Sequence, residues 1–184
     1  MKLHLWGLDF RRSSSEERAR LFLPEERRID LLQRLKGTGF KDLVYLWTCN
    51  RVEFYTTAED YFCDTRSHWM GLIHELGVSE SVYFQGYHFE GKSALRHLLR
   101  VSSSLESLVI GEAQILGQLK NSLQQADEAG IPIDSSTKRC FDLAFKVAKE
   151  VRTHTEIAKR SVSVASLGLN VLQSHEREFP IERV

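Results

Sequence analysis

The first half of the chain alternates between strand-like and helix-like spacing of its apolar positions. Residues 2–9 are rich in Leu and Trp with partial alternation. The Ser13-Ser14-Ser15-Glu16-Glu17 run behind them has the form of a helix N-cap with acids in the first turn, so the chain opens as strand then helix. Pro24 before Glu25 and Glu26 fits the first position of a second helix, with Ile29, Leu31, Leu32 and Leu35 as its apolar face and Gly37 and Gly39 as its stop. Residues 43–48 and 52–57 are enriched in β-branched and aromatic side chains and predict two strands, joined through Cys49-Asn50-Arg51. Residues 67–76 carry Trp69, Met70, Ile73 and Leu76 at helical spacing before Gly77, and residues 81–89, with Val82, Phe84, Tyr87 and Phe89, predict a further strand. The order β-α-α-β-β-α-β matches the split β-α-β halves of a ferredoxin-like α+β fold, an antiparallel sheet with helices on one face.

After Gly91 the texture changes. Apolar residues now recur at three and four: Leu95, Leu98 and Leu99; Ile115, Leu116, Leu119 and Leu123; Leu143, Ala144, Val147 and Val151. This predicts a helical C-terminal half. Gly130, Pro132 and the polar run from Asp134 to Thr137 separate two of its helices, and a last helix is expected over 161–178, before Pro180. The expected division is an α/β part over about 1–90, a helical part over about 91–160 and a linking helix over 161–184. No internal repeat or low-complexity segment is present.

Composition narrows the function classes. A chain of 184 residues with 42% hydrophobic and 27% charged side chains can bury a core without staples. Lys plus Arg and Asp plus Glu are both 25, so no overall basic field recruits nucleic acid, and any such contact must come from a local patch. Candidate cations on the helical half are Lys138, Arg139, Lys146, Lys149, Arg152, Lys159 and Arg160. Cys49, Cys63 and Cys140 are odd in number and widely spaced, which favours a reduced, cytoplasmic chain and gives no metal-ligand spacing. The N-terminus lacks the form of a signal peptide, and no stretch reaches the roughly 18 apolar residues of a membrane span.

Cys49 is the first candidate for chemistry, because a thiol on a tight turn between strands is held by rigid neighbours while its sulfur can face a ligand. Arg51 is a permanent cation that could favour the thiolate or grip a carboxylate with two parallel donors. Spacing alone leaves the alternative open that Cys49 is a small buried hydrophobe. His97 is likewise either a proton-transfer group or a helix histidine bonded to backbone. The remaining histidines, His4, His68, His74, His88, His154 and His175, read as surface or strand residues.

The string Thr48-Cys49-Asn50-Arg51-Val52-Glu53-Phe54-Tyr55 resembles the active-site signature of glutamyl-tRNA reductases. A second block, from Arg96-His97-Leu98-Leu99 through Gly111-Glu112-Ala113-Gln114 to Gly117-Gln118, is similar to that family's other diagnostic stretch. Ala148-Lys149-Glu150-Val151-Arg152-Thr153, Ser161-Val162-Ser163-Val164-Ala165 and Gly7-Leu8-Asp9 extend the likeness over essentially the whole chain. The resemblance implies that Cys49 attacks the ester of glutamyl-tRNA to give a thioester, which NADPH reduces to glutamate-1-semialdehyde for tetrapyrrole synthesis. It places His97 near the sulfur. It sets Thr48, Asn50 and Arg51 beside the glutamyl group, with Arg51 on its carboxylate, and makes Ser107, Glu112, Ala113, Gln114 and Gln118 substrate-contacting positions.

The sequence departs from the family pattern at several of these places. Ala113 stands where Pro is usual and Trp47 where Ser is common. Ser104-Leu105-Glu106 replaces Gly-Leu-Asp, and Asp9-Phe10-Arg11 replaces Asn-His-Lys. No Gly-x-Gly-x-x-Gly fingerprint follows a strand, so NADPH is expected to bind only in the full-length enzyme and this chain reads as the catalytic piece of a longer protein. The resemblance further implies a homodimer for the full-length enzyme and admits a monomer for this piece, with glutamate-1-semialdehyde aminomutase as a conceivable partner. The alternative function is a non-catalytic module that keeps the fold and grips tRNA or a protein.

Overall fold

Two strands can bury both of their faces, and they form the middle of the sheet. β1 (Lys2–Asp9) and β3 (Arg51–Ala58) are covered along nearly their whole length and pair antiparallel, with Gly7 opposite Glu53 and Asp9 opposite Arg51. β2 (Val44–Trp47) joins the outer side of β3, and β4 (Tyr87–Glu90) pairs with β1 on its other side. The resulting order β2-β3-β1-β4 is antiparallel throughout, the ferredoxin-like arrangement. The computed structural model describes residues 2–35, 42–58, 65–130, 132–157 and 172. The expected helix over 161–178 therefore lies outside the described residues but for Leu172, and Cys63, Gly37, Gly39, Lys159 and Arg160 lie wholly outside them.

Alternation of side chains across the pleat divides the core in two. Trp6, Leu8, Tyr45, Val52 and Phe54 point to one face. There they meet Leu21 and Leu23 around α1 (Ser15–Arg20), Leu31 of α2 (Glu25–Leu35), Trp69, Leu72 and Ile73 of α3 (Thr65–Glu75), and Val82 of α4 (Glu80–Gln85). Leu3, Leu5, Val44, Leu46, Tyr55 and Tyr87 point to the opposite face. That face is covered by Ala94 and Leu98 of α5 (Gly91–Ser102), Ile115 and Leu119 of α6 (Gln114–Glu128), and Phe141 and Ala144 of α7 (Ser135–His154). The helices of the first half thus occupy one face as expected, and the helical second half closes the other. Among the described residues no helix is long and apolar enough to cross a membrane.

Local signals set most boundaries. Ser14 accepts a hydrogen bond from the Glu17 amide while the Glu17 carboxylate reaches back to the Ser14 amide, a reciprocal cap that starts α1. Asp134 caps α7 through the Ser136 amide. Asp42 ties that cap to the sheet, since its carboxylate accepts from the amides of Thr57 at 3.0 Å and Asp134 at 2.9 Å. Burial raises the Asp42 carboxyl, against hydrogen bonds from Thr137 and these amides that favour its charge.

Three expectations need correction. Residues 81–85 are not strand but belong to α4, and the strand is only Tyr87–Glu90. Ser79 caps this helix, Glu80 sits in its first turn, and the Trp6 indole donates to the Tyr83 carbonyl at 3.3 Å, so capping and tertiary contact outweigh β-propensity. On α7 the buried stripe is Thr137, Phe141, Ala144 and Ala148 rather than one led by Leu143, which is 43% exposed. Ile29 of α2 is 38% exposed, and the side chains of Leu32 and Leu35 lie outside the described set.

Gly7 is a point of close approach, where an added Cβ would lie 2.7 Å from the Tyr87 ring and 2.8 Å from Cγ of Glu53. Gly7→Ala is expected to destabilise by about 1–3 kcal/mol through overpacking. Gly71, inside α3 with nothing within 4 Å of its added Cβ, should instead gain about 0.5–1 kcal/mol as Ala. Urea midpoints of the two variants check the contrast, which fails if both shift in the same direction.

Candidate active site

The turn between β2 and β3 is fixed by its own first residue. Thr48 Oγ1 accepts from the amides of Asn50 at 3.2 Å and Arg51 at 3.0 Å, and the Thr48 amide bonds the Arg51 carbonyl at 2.9 Å. The Asn50 carbonyl accepts from the Phe10 amide at 3.0 Å. The nearly buried Arg18 guanidinium donates to the Cys49 carbonyl from Nε at 3.2 Å and Nη2 at 3.1 Å. The turn is therefore held at Thr48, at the Cys49 carbonyl and at Asn50, while Cys49 itself is exposed. Trp47 packs its ring on Phe22 at 4.5 Å on the other face of the sheet, so its bulk lies away from the charged residues described next.

Strand alternation sends Arg51, Glu53 and Tyr55 to the face covered by α5. Glu53 is fully buried. It accepts from Arg51 Nη1 at 2.7 Å, contacts His97 Nε2 at 2.8 Å, and accepts from the hydroxyls of Tyr55 and Tyr87. Burial would raise its carboxyl, but Arg51, His97 and the hydrogen bonds outweigh that and hold it well below the usual carboxylate range. The same burial opposes the charge of Arg51, which Glu53 nonetheless holds. Both tyrosines are pushed up by burial and by the Glu53 charge beside them. His97 lies on α5 with its ring 5.1 Å from those of Tyr87 and Phe89.

The segment between α5 and α6 is fastened to this cluster. Arg51 Nη2 and Arg11 donate to the Glu106 carbonyl, and the Glu106 carboxylate takes Arg11 and Arg100. Burial raises the Glu106 carboxyl, and the two guanidinium partners more than reverse this. Asp9 holds Arg11 at 3.3 Å. Farther along, Ser104 sits at φ 61°, a left-handed conformation that costs a non-glycine residue about 1–2 kcal/mol. Its hydroxyl donates to the Glu112 carbonyl at 2.6 Å and accepts from Arg152, which also reaches the Gly111 and Glu112 carbonyls at 3.2 and 2.8 Å.

The structure thus brings Thr48, Cys49, Asn50 and Arg51 into one turn, and joins Arg51 to His97 through Glu53. Ser107, half-buried, directly follows the clamped Glu106. Glu112, Ala113, Gln114 and Gln118 lie at the neck of the segment and on the first turns of α6, with Ala113 and Gln114 exposed. Ala113 has φ −75°, within the range proline adopts. The carboxylate grip expected of Arg51 would need the Glu106 carbonyl to leave Nη2. Of the candidate cations, Lys146, Lys149 and Arg152 line a groove of about 590 Å³ with Lys120, although Arg152 is engaged by the neck. Lys138 pairs with Asp127 at 3.7 Å and Arg139 bonds Ser135.

Sequence reasoning missed Glu53, Asp9, Arg11, Arg18 and Glu106. Glu53 did carry a signal, since two opposite charges two apart on a strand share a face and must meet if that face is buried.

A sequence profile of the glutamyl-tRNAGlu reductase N-terminal domain matches residues 6–155. The chain belongs to this family. The glutamyl-tRNA reductase of Pseudoalteromonas atlantica is 35% identical over 171 residues, covering 90% of this chain and 39% of that protein. That of Myxococcus xanthus is 39% identical over 171 residues, with 93% and 38% covered. The solved structure of glutamyl-tRNA reductase from Methanopyrus kandleri superposes with a TM-score of 0.70 at 30% identity, over 96% of this chain and 40% of that one. The chain therefore spans about two fifths of the length of these glutamyl-tRNA reductases.

Because the native Glu53 carboxyl is held below its unfolded value of about 4.3, its charge contributes stability above that value, which is lost as pH falls toward the native one. Glu53→Gln leaves Arg51 buried without a counter-charge and should cost roughly 3–5 kcal/mol at neutral pH. It should also flatten the fall of stability on the acid side. Denaturant melts of both proteins from pH 7 down to 3 measure this, and a parallel acid limb in the variant would contradict it.

Proposed function

We propose that this chain carries out the acyl-transfer step of a glutamyl-tRNA reductase, with Cys49 as nucleophile. The observation that carries the reading is an exposed thiol whose backbone is fixed on a turn two residues from a buried Arg51–Glu53–His97 chain. The Cys49 sulfur attacks the ester carbonyl of glutamyl-tRNA, a C–S bond forms, and the C–O bond to the terminal ribose breaks. The proton that leaves the thiol goes to the released ribose hydroxyl. A thiolate is the intrinsically strong nucleophile for this exchange, and the thioester it leaves accepts hydride more readily than an oxygen ester.

His97 is the group suited to move that proton. An ionised carboxylate can only accept, so Glu53 holds the proton of His97 on Nε2 and leaves the basic lone pair on Nδ1. Glu53 orients the imidazole as a carboxylate does in hydrolase triads. Thr48 and Asn50 shape the turn, Arg51 and the Glu106 carbonyl set the floor for the glutamyl group, and Ser107, Glu112, Ala113, Gln114 and Gln118 border it from the second segment.

Reduction of the thioester by NADPH belongs in this reading to the whole reductase. The grooved cations Lys120, Lys146 and Lys149 are suited to tRNA phosphates.

Incubation of the chain with glutamyl-tRNA should give a hydroxylamine-labile glutamyl adduct on Cys49 by mass spectrometry. Cys49→Ser should give no such thioester, and His97→Ala should slow adduct formation by about 10²–10⁴. A folded chain with intact substrate and no adduct overturns the reading.

A further inference from the structure

A cleft of about 420 Å³ opens beside His97 along one face of α5. Lys92, Arg96 and Arg100 follow one another four residues apart, so they form one row on the helix, with Ser93 and His97 in the row beside it. Phe89 of β4 walls the other side, its ring 5.1 Å from that of His97. Glu106 is the single acid of the lining, and its carboxylate is already taken by Arg11 and Arg100. Lys92 and Arg96 are exposed and have no acidic partner among the described residues. The cleft is therefore cationic where it is open and aromatic where it is walled.

Those two properties together hold a single-stranded nucleotide, the cations taking its phosphate and the rings its base. A groove that only tracked duplex phosphates would need no aromatic wall. We propose that this cleft seats the 3′-terminal nucleotide of the RNA, its phosphodiester on Lys92 and Arg96 and its base against Phe89. The esterified ribose is then delivered to His97, which Glu53 and Arg51 connect to the Cys49 turn. This assignment rests on the acyl-transfer reading for the identity of the RNA, and it gives the tRNA end a binding place separate from the Lys120–Lys146–Lys149 groove. Free nucleotides share the phosphate and base chemistry, so the test separates the two sources.

Fluorescence anisotropy of the whole 184-residue chain with an uncharged acceptor-stem hairpin ending in single-stranded CCA reads the site. A second hairpin lacks the overhang. Lys92→Ala/Arg96→Ala should weaken binding of the CCA hairpin by about tenfold or more and lower its salt slope by about one to two, with the trimmed hairpin bound as by the parent. Lys92→Arg/Arg96→Lys, which keeps both charges, should retain binding and so separates lost cations from a damaged fold. Unchanged affinity of the alanine variant, equal loss on both hairpins, or displacement of the CCA hairpin by NADPH overturns the proposal. Because the RNA is uncharged, binding needs neither thiol nor acyl group. A chain that binds it but never acylates Cys49 overturns the acyl-transfer reading alone. Acylation of the parent's Cys49, with Arg96→Glu binding the CCA hairpin normally, overturns the cleft alone.

Discussion

A carboxylate with no access to water sits in the middle strand of the sheet, and much around it is arranged to make that tolerable. Burying an unpaired carboxylate costs several kcal/mol after relaxation, about the whole net stability of a small domain. Glu53 meets this with Arg51 on its own strand, Tyr55 two residues on, Tyr87 from β4 and His97 from α5. Gly7, across the ladder from Glu53, leaves the space these side chains need. The His97 imidazole is thereby held by the same contacts that stabilise the sheet, through a carboxylate that never meets solvent.

The segment from Ser103 to Ala113 depends on that cluster in turn. Arg51 has one nitrogen on Glu53 and another on the Glu106 carbonyl, so the charge that neutralises the core also anchors the segment bearing Ser107. Two of the departures from the family pattern gather here and answer one another. Glu106 pairs with Arg11, and Asp9 holds Arg11 in place. Ser104, in a backbone conformation glycine enters freely, sets two hydroxyl hydrogen bonds against its strain. Trp47, next but one to Cys49 in sequence, is packed on the opposite face of the sheet.

Much of this was legible beforehand. β2 and β3 followed from β-branched and aromatic runs, β1 from its Leu- and Trp-rich alternation, α1 from its capping run and α7 from the recurrence of its apolar residues, because these signals act within a few residues. The failures came where contacts between distant segments prevail. Residues 81–85 have strand-like composition, yet Trp6 seals them as a helix through Tyr83. Leu143 has the hydrophobicity of a core residue, and the direction in which α7 docks turns it outward. Arg51 was recognised as a cation near the thiol, but its engagement with Glu53 depends on which face α5 covers.

The sequence by itself singled out Cys49, its place on a turn between strands, the α+β class and the family, because motif and periodicity are properties of order along the chain. The tertiary structure decided that the helical half lies over the face bearing Arg51 and Glu53, that His97 meets the second of these, and that Arg11 and Glu106 close on each other from 95 residues apart. The physical reason is burial. A charge is paired only with what the fold carries to it, and nothing in the spacing of Glu53 and His97 along the chain states that they will share a dry interior.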